Sequence, residues 1–239
     1  MRLFFRNDDL GTNPAEFARL VTLFAMHDQK LNAAAIPSGL SEEIIRASIP
    51  YSYQAAPFLQ VVTHGYSHQN HEREGKKCEY GISRSLNDVR TELEFGRHSL
   101  SEKFENYYPC FVPPWNRMHD RFLALLESTG YRMLSRETEV AAKSASATIP
   151  EFNVYLDLHT RKDGERLSAE EILRSLSARQ DAGEDHAGVM LHHNRMTADD
   201  FTTLNQLLKD LSRRGIQAAF FSELLAGPER RVNPELSHV

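Results

Sequence analysis

Cysteine is scarce. Cys78 and Cys110 are the only two in 239 residues. Neither has the close Cys or His spacing of a structural zinc site, and two thiols make no disulfide framework, which fits a reducing compartment. Runs of Lys and Arg are also missing, and the formal net charge is -5. Phosphate binding needs clustered positive charge, so the pattern argues against a nucleic-acid surface, and small molecules are the expected partners. Long hydrophobic runs are absent at the N-terminus, where Leu3-Phe4-Phe5 is interrupted by Arg6. Such a segment is neither a signal peptide nor a membrane span, and we expect a cytoplasmic protein without membrane contact. There is no internal repeat and no low-complexity tract. The length suits one large α/β domain with a sizeable core. We place that domain at residues 1–227 and expect a frayed polar tail over 228–239.

Short apolar segments do recur, at residues 3–5, 32–36, 58–63, 110–112, 131–134, 152–156, 187–191 and 216–221. Helical patterns separate most of them. Asn13-Pro14-Ala15-Glu16 reads as an N-cap, a proline at the first helical position and a Glu at the third, followed by Phe17, Leu20, Val21 and Phe24 at helical spacing. Similar stripes run through Leu86, Val89, Leu93, Leu100 and Phe104, through Phe122, Leu125 and Leu126, through Ala169, Ile172, Leu173 and Leu176, and through Phe201, Leu204, Leu208 and Leu211. Alternating strands and helices predict a parallel sheet, and seven or eight units predict a closed (β/α) barrel over an open sheet. Residues 69–84 carry turn and charge residues without periodicity and read as a long loop, a candidate lid.

Five clusters of reactive residue types each follow a strand signal: Asp8-Asp9, His64 with His68, Pro113-Pro114-Trp115-Asn116, Asp157 with His159, and His192-His193. Singly, each has an ordinary structural explanation as a helix-terminal charge, a solvated loop histidine or a strand-ending proline. Jointly they mark one face, because the C-terminal ends of parallel barrel strands open on one side and carry the chemistry there. Two imidazoles spaced i, i+4 and one carboxylate are the three protein ligands of a catalytic zinc site. The second carboxylate of the Asp pair is then free to be a general base.

At these residues the chain resembles the polysaccharide deacetylase family, the NodB-homology, family-4 carbohydrate esterases. Phe5-Arg6-Asn7-Asp8-Asp9-Leu10 resembles the first family motif and Thr63-His64-Gly65-Tyr66-Ser67-His68 the second. Phe111-Val112-Pro113-Pro114-Trp115-Asn116 is similar to the third, Leu156-Asp157 to the fourth, and Val189-Met190-Leu191-His192-His193 to the fifth. His64 to His71, followed by Gly75-Lys76-Lys77-Cys78-Glu79, is similar to a cytoplasmic bacterial subgroup.

The resemblance implies a NodB-like, distorted parallel (β/α) barrel of seven or eight strands related to the TIM barrel, and a metal-dependent hydrolase that removes an N- or O-acetyl group from a carbohydrate or small sugar-like amide. It implies Asp9, His64 and His68 as ligands of a divalent metal, zinc first, with cobalt, manganese and nickel compatible. Asp8 would be the base, His193 the acid poised by Asp157, and Pro114, Trp115, Asn116 and Leu191 the substrate contacts. His71 is left out of the ligand set. Two departures stand out: Leu10 replaces the glycine after the Asp pair, and Val112 stands where the family has an arginine that holds the base. Arg6, Arg117 or Arg195 would have to take over that task. The rival readings are a metal-independent or non-acetyl amidohydrolase of the allantoinase-like branch and a catalytically silent sugar-binding domain.

Overall fold

The computed structural model describes residues 1–52, 58–144, 147–159, 161–162 and 165–225. The expected tail lies outside them, and so does the end of the expected domain. In chain order the elements are β1 (Arg2–Leu10), α1 (Pro14–Met26), β2 (Leu31–Ala35), α2 (Glu42–Ser52), β3 (Leu59–His64), α3 (Leu86–Lys103), β4 (Tyr107–Val112), α4 (Leu123–Ser128) and β5 (Met133–Leu134). There follow α5 (Thr138–Ala141), β6 (Val154–Asp157), the hairpin strands β7 (Arg161–Lys162) and β8 (Glu165–Arg166), α6 (Ala169–Asp181), β9 (His186–Leu191), α7 (Ala198–Arg213) and α8 (Phe221–Leu225).

Seven strands form one parallel sheet in the order β5-β4-β3-β2-β1-β9-β6. Period-2 alternation gives the sheet two apolar faces, so both must be covered. On one face Phe5, Ala33, Val61, Val189 and Leu191 pack under Phe17, Leu20, Val21 and Phe24 of α1 and the buried stripes of α6 and α7. On the other, Phe4, Ala34, Val62, Cys110, Val112, Met133, Val154 and Met190, from all seven strands, meet Phe221 and Leu224 of α8. A single cluster fed by every strand is the filled interior of a curled sheet. Its seam is irregular. Parallel bridges Leu134 to Glu151 and Glu137 to Val154 join the β5 and β6 sides, supported by a buried Arg136 whose Nε and Nη2 each lie 2.8 Å from Glu151.

The eighth strand signal, residues 216–221, is a correction: it forms no strand. Its backbone is taken instead by side chains below the N-terminal ends of the strands. Gln29 bonds the Ile216 carbonyl and the Ala218 amide, and Asn32 bonds the Ala219 carbonyl and the Phe221 amide. The segment therefore seals the bottom of the barrel and turns into α8.

Helix starts follow local chemistry. Ser85 accepts from the Asp88 amide, and Ser168 with Glu171 and Thr197 with Asp200 form capping boxes. Asn13 differs from its expected role, since it has φ 54° and its side chain caps nothing; Pro14 alone sets the start of α1. Leu86, on the expected stripe of α3, is 52% exposed because it sits in the first turn, outside the contact with the sheet.

Candidate metal centre and active site

Adjacent strand residues face opposite sides, so Asp8 and Asp9 can share a rim only if the strand is broken between them. It is broken there. The β1–β2 register slips between Asn7 and Leu10, and Asp9 has φ 61°. This bulge turns Asp9 towards β3, where its Oδ1 lies 3.1 Å from His64 Nε2 and 3.1 Å from His68 Nε2. His64 ends β3, and Gly65 (φ 58°) and His68 (φ 55°) fold the following turn back over it. A Cβ at Gly65 would stand 2.1 Å from Glu79 Oε2 and 2.6 Å from Pro114, so the turn requires glycine there.

His64 Nδ1 lies 3.0 Å from the Val112 carbonyl, which can only accept. A ring proton therefore sits on Nδ1, and Nε2 is the nitrogen left to face the point where Asp9 and His68 converge, able to offer its lone pair to an ion once deprotonated. An outer carbonyl that fixes the tautomer in this way is the usual support of a metal-ligating histidine. Three donors, two nitrogens and one oxygen, fit a divalent ion with an open position for water or substrate. Burial opposes charge on Asp9, but hydrogen bonds from His64 and His68 outweigh it and hold the carboxyl well below the usual carboxylate range. For His64, burial is again the opposing effect, and the Asp9 hydrogen bond with the charges of Asp8 and Asp9 raises its pKa.

Arg6 and Asp8 lie two residues apart on β1 and so share the interior face. Arg6 Nε and Nη2 each meet a different oxygen of Asp8 at 2.8 Å, and both residues are buried. Nη1 also bonds Ser135 Oγ at 3.0 Å and Nη2 bonds Asn116 Oδ1 at 2.6 Å. Among the three arginines considered from the sequence, Arg6 is thus the one that holds Asp8. Arg117 instead bonds the Lys77 carbonyl.

Residues 113–116 form a tight turn at the end of β4, with positive φ at Trp115 and Asn116. Such backbone in a Trp is strained, and it throws the indole against His68, with ring centroids 4.4 Å apart. Trp115 walls the site. Pro114 packs against Gly65, and Asn116 is spent on Arg6, so neither side chain is free in the manner expected of a substrate contact. Leu191 is another correction: it is fully buried under the helices and offers no surface to a ligand.

The expected acid is the largest correction. His193 is fully buried outside the barrel against Phe17, and both ring nitrogens are engaged, Nδ1 by Asn7 Nδ2 at 3.0 Å and Nε2 by the Thr12 carbonyl at 2.8 Å. Asp157 does not touch it. Met190 faces the interior, so alternation puts His192 on that face and His193 off it. His192 accordingly joins Asp157 and His159, one ligating atom of each lying within 4.8 Å of the others.

Sequence reasoning also missed Glu79. Its fully buried carboxylate accepts from the Ser67 amide at 2.7 Å and the Ser67 hydroxyl at 3.0 Å, bracing the turn that carries His68. Residues 69–84 contain no helix or named strand, as expected of a loop. Their C-terminal half is pinned by Glu79 and by a Tyr80 to Met118 bridge, so it is a packed wall and not a free lid.

No protein-family model matches the chain, and no curated protein matches it in sequence. Solved structures do match. A Mycobacterium smegmatis protein assigned to the polysaccharide deacetylases superposes with a TM-score of 0.65 at 15% identity, covering 94% of this chain and 88% of its own. A family-4 acetyl xylan esterase from Clostridium thermocellum, in complex with cobalt, gives 0.61 at 12% identity, covering 95% and 91%. A family-4 pseudoenzyme from Bacillus anthracis gives 0.58 at 15% identity, covering 94% of this chain and 65% of its own. At such identities the likeness is one of architecture. The chain has the fold of the polysaccharide deacetylases and family-4 carbohydrate esterases.

Proposed function

We propose that this protein is a metal-dependent hydrolase that removes an acetyl group from an N- or O-acetylated carbohydrate or small sugar-like amide. The observation that carries it is the pairing of Asp8, held bidentate by Arg6, with Asp9, which reaches His64 and His68. Asp9, His64 and His68 would hold a divalent ion, zinc by their donor set or cobalt as in the Clostridium thermocellum esterase, which would acidify a water and polarise the acyl oxygen.

The chain's own residues do the rest. Asp8 takes the proton from the attacking water, and Arg6 points the carboxylate while Asn116 and Ser135 hold Arg6. The Trp115 indole closes one side against bulk water, and the Trp115 backbone N–H, with the Asn116 and Arg117 amides already bonded within the turn, would donate to the developing oxyanion, a contribution on the order of 3 kcal/mol. His192, on the interior face beside Asp157, protonates the leaving group. The pseudoenzyme from Bacillus anthracis shares this fold, so the fold alone does not carry activity. Val112 was the ground for a silent domain, and Arg6 supports activity by supplying the cation on Asp8 that Val112 cannot. The test is acetate release from N-acetylglucosamine or an acetylated xylose by zinc- and cobalt-loaded protein, with the ion-free protein as control; no release with any ion would end the reading.

A further inference from the structure

Asp157, His159 and His192 offer the same donor types as Asp9, His64 and His68, with one ligating atom of each within 4.8 Å of the others. Composition alone would make them a second ion site. Arg166, on β8, speaks against that. Its Nη1 meets His159 Nδ1 and also lies 2.5 Å from Oδ1 of the buried Asp200. A guanidinium has only N–H donors and keeps its proton in proteins, so His159 Nδ1 is the acceptor and carries no hydrogen. The one ring proton of a neutral His159 then sits on Nε2. Burial comes first among the effects that keep this imidazole neutral, and the charge of Arg166 adds to it against that of Asp157.

The arrangement is anchored at both ends. Asp200 accepts from the Thr197 amide at 2.7 Å and hydroxyl at 2.9 Å at the start of α7, which fixes Arg166. Asp157 Oδ1 accepts from the His159 amide at 2.9 Å, which fixes the turn after β6. Among the described residues, the buried His159 Nε2 has no hydrogen-bond partner, and neither has His192 Nδ1. A nitrogen that bears a proton has no lone pair for an ion. It can donate, and a buried unpaired donor gains strongly from an oxygen brought to it.

We propose that His159 is a fixed hydrogen-bond donor for a substrate oxygen, a hydroxyl or carbonyl of the sugar-like amide, and that its cluster with Asp157 and His192 is a substrate subsite and not a second ion site. The class of substrate rests on the hydrolase reading above; the tautomer does not. β9 lies between β1 and β6 in the sheet, so the subsite flanks Asp8 on the side away from His64. A substrate reaching from the ion across Asp8 would place its leaving-group portion there, with His192 at hand.

The experiment uses the full chain labelled with 15N-histidine. Long-range nitrogen–proton spectra should show His159 neutral with its proton on Nε2 at pH 7, and Arg166→Met should shift it towards a mixture that includes the Nδ1–H form. Titration with cobalt should give one equivalent per chain, unchanged in His159→Phe. Added N-acetylglucosamine should move the His159 Nε2 signal, and His159→Phe should raise KM for that sugar about tenfold with kcat within about threefold, the loss of one hydrogen bond. A proton on Nδ1 in the wild type, a second cobalt that His159→Phe removes, or an unmoved signal and unchanged KM would each overturn the proposal. Absent acetate release, with the Nε2 proton and the sugar-induced shift both present, would overturn the hydrolase reading alone.

Discussion

Arg6 grips both oxygens of Asp8 at 2.8 Å from two residues earlier on the same strand, so the base and the cation that orients it are carried by one element. Removing one partner of a buried pair leaves an uncompensated charge, at a cost of about 3–5 kcal/mol. Arg6→Gln should therefore lower stability by that order, measured by urea unfolding, and abolish turnover. Adding Asp8→Asn to Arg6→Gln should recover much of the stability and none of the activity. Equal stability losses that simply add would mean the two residues are not coupled.

Ion binding separates the two aspartates. Asp9→Ala and His68→Ala should lose the ion by metal analysis, whereas Asp8→Asn should keep it while losing turnover. Full occupancy in Asp9→Ala and His68→Ala would show that the ion is held elsewhere.

The two neighbouring histidines should behave differently. His192→Gln should lower kcat by about 10²–10⁴-fold with the ion retained, as expected for a lost general acid. His193→Gln should act mainly on stability, because its ring joins β1, the turn before α1 and β9 through Asn7 and Thr12. If His193→Gln, folded and ion-loaded, showed the larger kcat loss, the interior would belong to His193 after all.

His193 also sets an acid limit. Burial lowers its pKa, against the Thr12 carbonyl and the charge of Asp9, which raise it. The unfolded chain therefore binds this proton more tightly than the folded one. Its contribution is fully present above the ordinary histidine value of about 6.5 and is lost as pH falls below it. Urea midpoints at pH 7.5 and 5.5 should fall further in the wild type than in His193→Gln. A smaller or equal fall in the wild type would contradict the buried neutral imidazole.

Glu79 supplies a test of the turn that bears His68. Glu79→Gln should weaken ion affinity by about 10–100-fold, as loss of an outer support does, with little change in kcat once the ion is saturating. Unchanged affinity would make the buried carboxylate a matter of folding only.

Much of this was legible because strands and rims follow simple periods. The alternation that places Phe4, Arg6 and Asp8 on one face was available from sequence, and applied to β1 it selects Arg6 over Arg117 and Arg195 without a structure. The same rule applied from Met190 selects His192. What misled there was a motif spacing, which fixes distance along the chain but not the face of the strand. The bulge at Asp9 breaks the alternation and has no sequence signal beyond the Asp pair itself. The segment at 216–221 is apolar enough for a strand, yet Gln29 and Asn32, some 190 residues earlier, take its backbone groups, and such long-range capping leaves no local trace. Glu79 sat in a stretch of charge without periodicity, where burial of one carboxylate by Ser67 and Tyr66 cannot be read from composition.

The most direct measurement is acetate release from N-acetylglucosamine by zinc-loaded wild type and by Asp8→Asn carrying the same amount of zinc. The wild type should release acetate, and the variant should be slower by about 10²–10⁴-fold at equal ion occupancy. Equal rates in the two proteins would contradict the assignment of Asp8, oriented by Arg6, as the base of a metal-assisted hydrolysis.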